Sequence, residues 1–300
     1  MASCPAPAGR LPLNARVPSS DGVDVAVHDL GGDASLPPLL ISHATGFHGR
    51  AYQEIADALA GRLHCIAFDH RGHGHTEAPP AWRRGEGVDW AGYGDDCAAV
   101  AEWLAPEGGL VGFGHSMGAS TLLMTAARDP RRFSRLVLFE PIVGVFDGGL
   151  DPEQIPLVVA ARRRRRRFAS YDDAYENFAG KFPLALMTPG SLRHYVEHGL
   201  RPTEAGDVEL CCPPEVEAAT FVASRRNGVW ALLPQVEVPT LVVTGVIERD
   251  QPSAWAPVIA GRLPNGELMM LPHQTHFGPF SHPAEVAALV PAPQVSDPPA

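Results

Sequence analysis

The segment Gly114-His115-Ser116-Met117-Gly118 stands between an apolar run with the character of a strand, 109–113, and a run with the character of a helix, 119–127. A serine joining strand to helix, with glycine two residues to either side, requires a sharp turn. The hydroxyl is thrown clear of the sheet, and neighbouring backbone closes in where a Cβ would otherwise stand. Backbone strain of that kind persists where the exposed side chain is used. Ser116 is therefore the first candidate for a nucleophile. The amide of Met117, first in the helix, points where negative charge would develop on an attacked carbonyl.

The remaining pattern supplies a frame for that turn. Residues 13–29 read as a hairpin that turns at Ser19-Ser20-Asp21-Gly22, with Val23, Val25 and Val27 on one face. Strand-like runs follow at 38–42, 64–68, 135–140, 239–245 and 267–271, and helix-like runs at 50–61, 89–104 and 283–289. Such alternation builds a mostly parallel sheet with helices on its faces. Between 142 and 231 no strand is recognised, and helix-like stretches at 154–168, 171–178, 192–199 and 215–224 are separated by proline and glycine. The chain divides on this basis into a first core part, 1–141, an inserted helical unit, 142–231, and a second core part, 232–300. An insertion after the sixth strand of an open sheet lies over the carboxyl ends of the strands, where ligands bind, so this one is expected to act as a cap. The Pro-rich stretch 291–300 is expected to fray.

Composition narrows the partners. A formal charge of −10 argues against general nucleic-acid binding, which needs a basic face. Arg162 to Arg167 are six consecutive arginines that could attract an anionic partner, yet on a helix they spread around the axis and read as a solvated face. Cys4, Cys65, Cys97, Cys211 and Cys212 are odd in number and irregular in spacing, so neither a disulfide framework nor a zinc ribbon is indicated, and a reducing cytosol fits. The first ten residues lack the apolar centre of a signal peptide, and no apolar stretch approaches 18 residues. The expectation is a soluble cytoplasmic protein without a membrane anchor.

Four segments occur in a telling order: His43-Ala-Thr-Gly-Phe47 after the third strand, Asp69-His-Arg-Gly-His-Gly74 after the fourth, the turn at Ser116, and His276-Phe277-Gly278 after the last. In this the chain resembles the α/β-hydrolase superfamily, over nearly all its length apart from the insertion. The resemblance implies an α/β-hydrolase fold, a helical cap after strand six, and a catalytic triad in the order Ser, acid, His. It implies His276 as the base, because Thr275 to Pro279 resembles the family's histidine loop, whereas His273 belongs to the strand exit. It implies Thr45 as the second oxyanion donor beside Met117, in a loop where Ala44 replaces the usual glycine, with Phe47 N–H as a less favoured substitute.

Two acids remain in play. Most of the family carries an Asp three residues after the glycine that ends the seventh strand, and here that position is Glu248, with Asp250 close behind. The haloalkane dehalogenases resemble this chain at strand six and carry a Glu at its end, the place of Glu140. Glu140 stands between Phe139 and Pro141, where an unpaired carboxylate would cost several kcal/mol and a histidine would serve as its partner. Glu248-Arg249-Asp250 is readily explained as a solvated turn. Glu140 is preferred and Glu248 retained.

The implied reaction is acyl transfer to water from a small or medium ester, through an acyl-enzyme on Ser116. A serine in place of aspartate argues against epoxide hydrolase or dehalogenase chemistry. No cofactor is expected, since no GxGxxG follows a strand with a later ribose-binding acid. No metal is expected either, since His70, His73 and His75 lack acidic or cysteine ligands at a helpful spacing. The rivals are a cofactor-free perhydrolase or haloperoxidase-like enzyme, a non-catalytic small-molecule-binding protein of the same fold, and a polyanion-binding module built on the arginine tract. Aromatic and apolar residues of the insertion, among them Phe168, Phe178, Phe182 and Tyr195, are expected mainly to pack its helices.

Overall fold

The computed structural model describes residues 15–144, 151, 154–249 and 251–292. Strand β1 (Ala15–Pro18) pairs antiparallel with β2 (Asp24–Gly31), whose Val25 and Val27 are buried, as the alternation of that hairpin requires. There follow β3 (Pro38–Ser42), helix α1 (Gln53–Leu59), β4 (His64–Phe68), α2 (Trp90–Leu104), β5 (Leu110–His115), α3 (Met117–Arg128) and β6 (Phe133–Phe139). Asp89 starts α2 by accepting the Ala91 N–H at 3.1 Å, an N-cap that satisfies one of the free amides of the first turn.

The insertion comes next, with α4 (Pro156–Arg162), β7 (Arg167–Phe168), α5 (Tyr171–Ala179), α6 (Pro189–Gly199), β8 (Leu200–Pro202), β9 (Val208–Leu210), α7 (Pro214–Ala223) and the single turn α8 (Val229–Leu232). The chain then returns to the main sheet through β10 (Thr240–Thr244), α9 (Ala256–Arg262) and β11 (Gly266–Met270), and closes with α10 (Gly278–Ser281) and α11 (Pro283–Ala288).

The main sheet has eight strands in the order β1-β2-β4-β3-β5-β6-β10-β11. It is parallel from β4 onward, with β2 antiparallel to β4. Alternate residues of one strand serve opposite cores. Leu40 faces a cluster with Tyr93 and Cys97 of α2, Leu122 of α3 and Ile259 of α9, while Leu39 and Ile41 face a cluster with Ile55 of α1 and Val286 of α11. Ser42 of β3, His115 of β5, Phe139 of β6 and Thr244 of β10 all end at one edge of this two-sided core.

The insertion differs from the all-helical reading. β7, β9 and β8 form a second, antiparallel sheet of three strands. Strands of two and three residues are too short for a period of two to show in sequence. The helix expected over 154–168 covers only Pro156–Arg162. Arginine favours helix, so propensity extended the reading through the tract, but ion pairs with other parts of the insertion prevail. Arg164 turns inward to Glu217, Arg165 meets Asp173 at 2.5 Å, and Arg166 and Arg167 each lie 3.6 Å from Glu209. The expectation of a helical face is corrected, since the helix ends at Arg162, while the expectation of solvation holds for all but Arg164, the one half-buried arginine of the six.

Phe168, Phe178, Met187 and Tyr195 are buried as packing residues, whereas Phe182 and Leu186 are exposed. Cys65, Cys97, Cys211 and Cys212 are buried and in no disulfide, and Cys4 lies outside the described residues, as does the stretch 293–300. Among the described residues no helix is long and apolar enough to cross a membrane.

Candidate active site

Ser116 sits between β5 and α3 at φ 55°, ψ −114°, outside the regions an L-residue normally adopts. Two close approaches explain why glycines flank it. A Cβ on Gly114 would stand 2.6 Å from Ala119 Cα, and one on Gly118 would stand 2.0 Å from the Ser42 carbonyl oxygen. The second approach brings the first turn of α3 against the segment that follows β3. The Ser116 N–H donates to the Phe139 carbonyl at 2.9 Å, which ties the turn to the end of β6.

The residue that follows β6 is Glu140, also at positive φ, 45°. Its side chain is 1 % exposed and fully engaged. Oε1 accepts from Thr244 Oγ1 at 3.1 Å and from Gly245 N–H at 2.9 Å, while Oε2 meets His276 Nδ1 at 2.6 Å. A buried carboxylate is stable where donors surround it, and three do so here. Nδ1 donates in this contact, which leaves His276 Nε2 as the free base position on a ring that is 28 % exposed.

Glu248 lies elsewhere. It is exposed, and its backbone N–H donates to Ser253 Oγ at 3.0 Å. Asp250 is outside the described residues. His273, the other histidine of the last loop, pairs with Glu285 at 2.8 Å on the surface. The structure therefore brings Glu140 to His276 and leaves Glu248 and His273 in other surroundings.

The loop after β3 is held by buried histidines. His43 Nδ1 donates to the Ala44 carbonyl at 2.8 Å and its Nε2 accepts the His70 N–H at 2.9 Å, a pairing that needs the neutral ring. Burial pushes the His43 pKa down to about 3 and that of His48 to about 4, so both stay neutral at ordinary pH. Ala44 N–H donates to Tyr52 Oη at 3.1 Å, and Phe47 N–H donates to the Ala44 carbonyl at 3.1 Å. Both of those amides are occupied. Thr45 Oγ1 donates to Met117 Sδ at 3.4 Å, so the two expected oxyanion residues touch.

The insertion reaches this loop as well. Arg164 Nη1 lies 2.5 Å from Glu217 Oε2, Arg164 Nη2 donates to Tyr195 Oη at 2.5 Å, and Tyr195 Oη donates to the Gly46 carbonyl at 3.4 Å. Gly46 has φ +78°, and a Cβ there would stand 2.5 Å from Glu217 Oε1. Burial alone would lower the Arg164 pKa, but the Glu217 carboxylate and Tyr195 more than reverse this, and the guanidinium remains charged. Sequence reading missed these three residues. Arg164 was hidden within a tract of like residues, and nothing local marks Glu217 or Tyr195 as its partners.

Two groups among the described residues hold three metal-ligating side chains with donor atoms within 4.8 Å of one another, His28-Asp69-His75 and His194-Glu197-His198. In the first the Asp69 carboxylate already accepts from His28 Nε2, Gly49 N–H and His75 N–H, all at 2.8 Å, and so shapes the turn after β4. His70 bonds Ser42 Oγ at 2.9 Å and His73 donates to the Arg71 carbonyl at 3.2 Å. Neither group contains Ser116, Glu140 or His276.

A strained serine at the head of a helix and a carboxylate-bound histidine, each following the carboxyl end of a strand of the parallel sheet, invite comparison with known hydrolases. The model of the alpha/beta hydrolase family matches residues 39–289. The chain belongs to the alpha/beta hydrolase family. It is an enzyme of the hydrolase type within that family. This alpha/beta hydrolase is 31% identical to a bifunctional esterase/perhydrolase of Acinetobacter calcoaceticus, over 87% of this chain and 92% of that protein. It is 23% identical to the 2-(acetamidomethylene)succinate hydrolase of Mesorhizobium japonicum, over 80% of this chain and 82% of the relative. In fold it is similar to the thioesterase domain from the curacin biosynthetic pathway, with a TM-score of 0.74 at 17% identity, covering 93% of this chain and 99% of that one.

Proposed function

We propose that this alpha/beta hydrolase cleaves carboxylic esters of small to medium size, with Ser116 as nucleophile, His276 as base and Glu140 as the acid of the triad. The observation that carries the reading is the 2.6 Å contact between Glu140 Oε2 and His276 Nδ1, made by a carboxylate buried beside the turn that strains Ser116. In the first step His276 Nε2 takes the Ser116 proton as Oγ bonds to the ester carbonyl carbon. The carbonyl oxygen becomes an oxyanion held by the amides of Met117 and Thr45. Collapse expels the alkoxide, which receives the proton from the imidazolium. Water, deprotonated by His276, then attacks the acyl-enzyme and releases the acid and free serine.

Glu140 keeps Nδ1 protonated and stabilises the imidazolium in both steps. Its remaining oxygen stays fixed by Thr244 and Gly245, so the carboxylate does not rotate away as the ring charges. Residues 142–231 are proposed as a cap. Support comes from Tyr195 and Glu217, which lie against Gly46 in the loop that carries Thr45.

A panel of chromogenic esters of increasing acyl length tests the reading. Wild type is expected to turn over the shorter members, and Ser116→Ala to lose about 10⁴-fold or more in kcat. Turnover that survives Ser116→Ala would refute the assignment. A second reading, peroxide in place of water, is favoured by the esterase/perhydrolase relative. It predicts formation of peracid and water from a carboxylic acid and hydrogen peroxide at the same serine, measured without ester present.

A further inference from the structure

We propose that Tyr52 and His115 are positioning residues that couple the oxyanion loop to the backbone of the catalytic histidine through one directed chain of hydrogen bonds. The inference rests on the ester-hydrolase reading of Ser116 and His276. The chain has four members, Ala44 N–H, Tyr52 Oη, His115 and the His276 carbonyl, with separations of 3.1, 2.9 and 2.9 Å. Only one set of directions is available to it. The Ala44 amide can only donate and the His276 carbonyl can only accept. Tyr52 Oη therefore accepts from Ala44 and donates its own proton to His115 Nδ1, and His115 Nε2–H donates to His276.

That assignment fixes His115 in one neutral tautomer. Burial, followed by the neighbouring His276 ring, holds the His115 imidazole well below its ordinary pKa, so protonation does not scramble the directions. Tyr52 and His115 are each 1 % exposed, and water does not compete for the bonds. The rings are braced as well, with Phe280 4.9 Å from Tyr52 and 5.6 Å from His115, centroid to centroid.

What the chain joins gives it a role. Ala44 precedes Thr45, whose amide is the proposed oxyanion donor. His115 precedes Ser116. His276 is held by its ring through Glu140 and by its own carbonyl through His115, so both ends of the residue are fixed. One imidazole thereby sets the nucleophile, the base and the oxyanion loop in a common register. A displacement of about 1 Å among such groups costs about 10²-fold in rate.

Two amide replacements separate positioning from bulk structure. His115→Gln carries an amide N–H to the place of Nε2–H and keeps the bond to His276, whereas His115→Asn carries an acceptor near Nδ1 and loses it. With a short-chain chromogenic ester, His115→Asn is expected to lower kcat about 10²-fold. KM should stay within about threefold of wild type, since only transition-state interactions are lost. His115→Gln is expected to recover to within about tenfold of wild type, although both variants remove the same buried ring and lower Tm alike. Tyr52→Phe should lower kcat by about tenfold or more at unchanged KM.

A His115→Asn variant with wild-type kcat, or Asn and Gln variants that lose activity in step with their Tm, would overturn the proposal. Labelling by a fluorophosphonate separates the two levels. A wild type not labelled at Ser116 overturns the hydrolase reading and the relay with it, while a labelled wild type with unaffected Asn and Phe variants overturns the relay alone.

Discussion

At the scale of single residues, Glu140 shows how far a sequence can go toward a catalytic acid. Its flanks, Phe139 and Pro141, already required a partner for a buried carboxylate, and the structure supplies His276 together with Thr244 and Gly245. The distances that separate Glu140 from Glu248 as candidates are invisible in sequence, because β6 and the last loop meet only through the parallel order of the sheet. Glu140→Gln is expected to lose about 10³ to 10⁴-fold in kcat through loss of the tautomer-fixing charge, and Glu248→Gln to keep wild-type activity. Steady-state kinetics on one ester decides between them, and the reverse ranking would transfer the role to Glu248. His115 lay within the motif that was recognised first, yet its task depends on Tyr52, 63 residues away in the chain. No local pattern records such a partner.

At the scale of elements, strand-helix alternation made β3 to β6 and the helices between them legible, since each is long enough to show its own period. The insertion was less so, because its strands are two or three residues long and its helix α4 ends inside a run of arginines. There tertiary ion pairs decide the conformation. Arg164 and Glu217 form a pair with side chains 17 % and 9 % exposed, set against Gly46 of the loop after β3. Removing one partner of a buried pair leaves the other charge unmatched, which costs about 3–5 kcal/mol. Arg164→Met is therefore expected to lower the denaturant midpoint clearly, and the double variant Arg164→Met/Glu217→Leu to recover much of the loss. Chemical denaturation of the three proteins measures this. A double variant less stable than the single would show that the pair itself, and not the orphaned charge, carries the stability.

At the scale of the whole molecule, five buried histidines are held below their ordinary pKa. His43 and His48 are kept neutral by burial down to about pH 3 and about pH 4, and His70, His73 and His115 are lowered as well, in each case by burial first. The unfolded chain takes up these protons near pH 6.5, so it binds more protons than the folded state below that value. Stability is complete above about pH 6.5 and falls as pH drops toward the folded values. Each unmatched proton contributes up to about 1.4 kcal/mol per pH unit. The urea midpoint should drop markedly between pH 7 and pH 5, above the range where carboxylates titrate, and a flat profile there would contradict the account of the interior. Whether Ser116 is the nucleophile is read from intact mass after a fluorophosphonate. One adduct is expected on wild type and none on Ser116→Ala, with loss of ester turnover in step with labelling. An unlabelled wild type, or an adduct that persists in Ser116→Ala, would contradict that role.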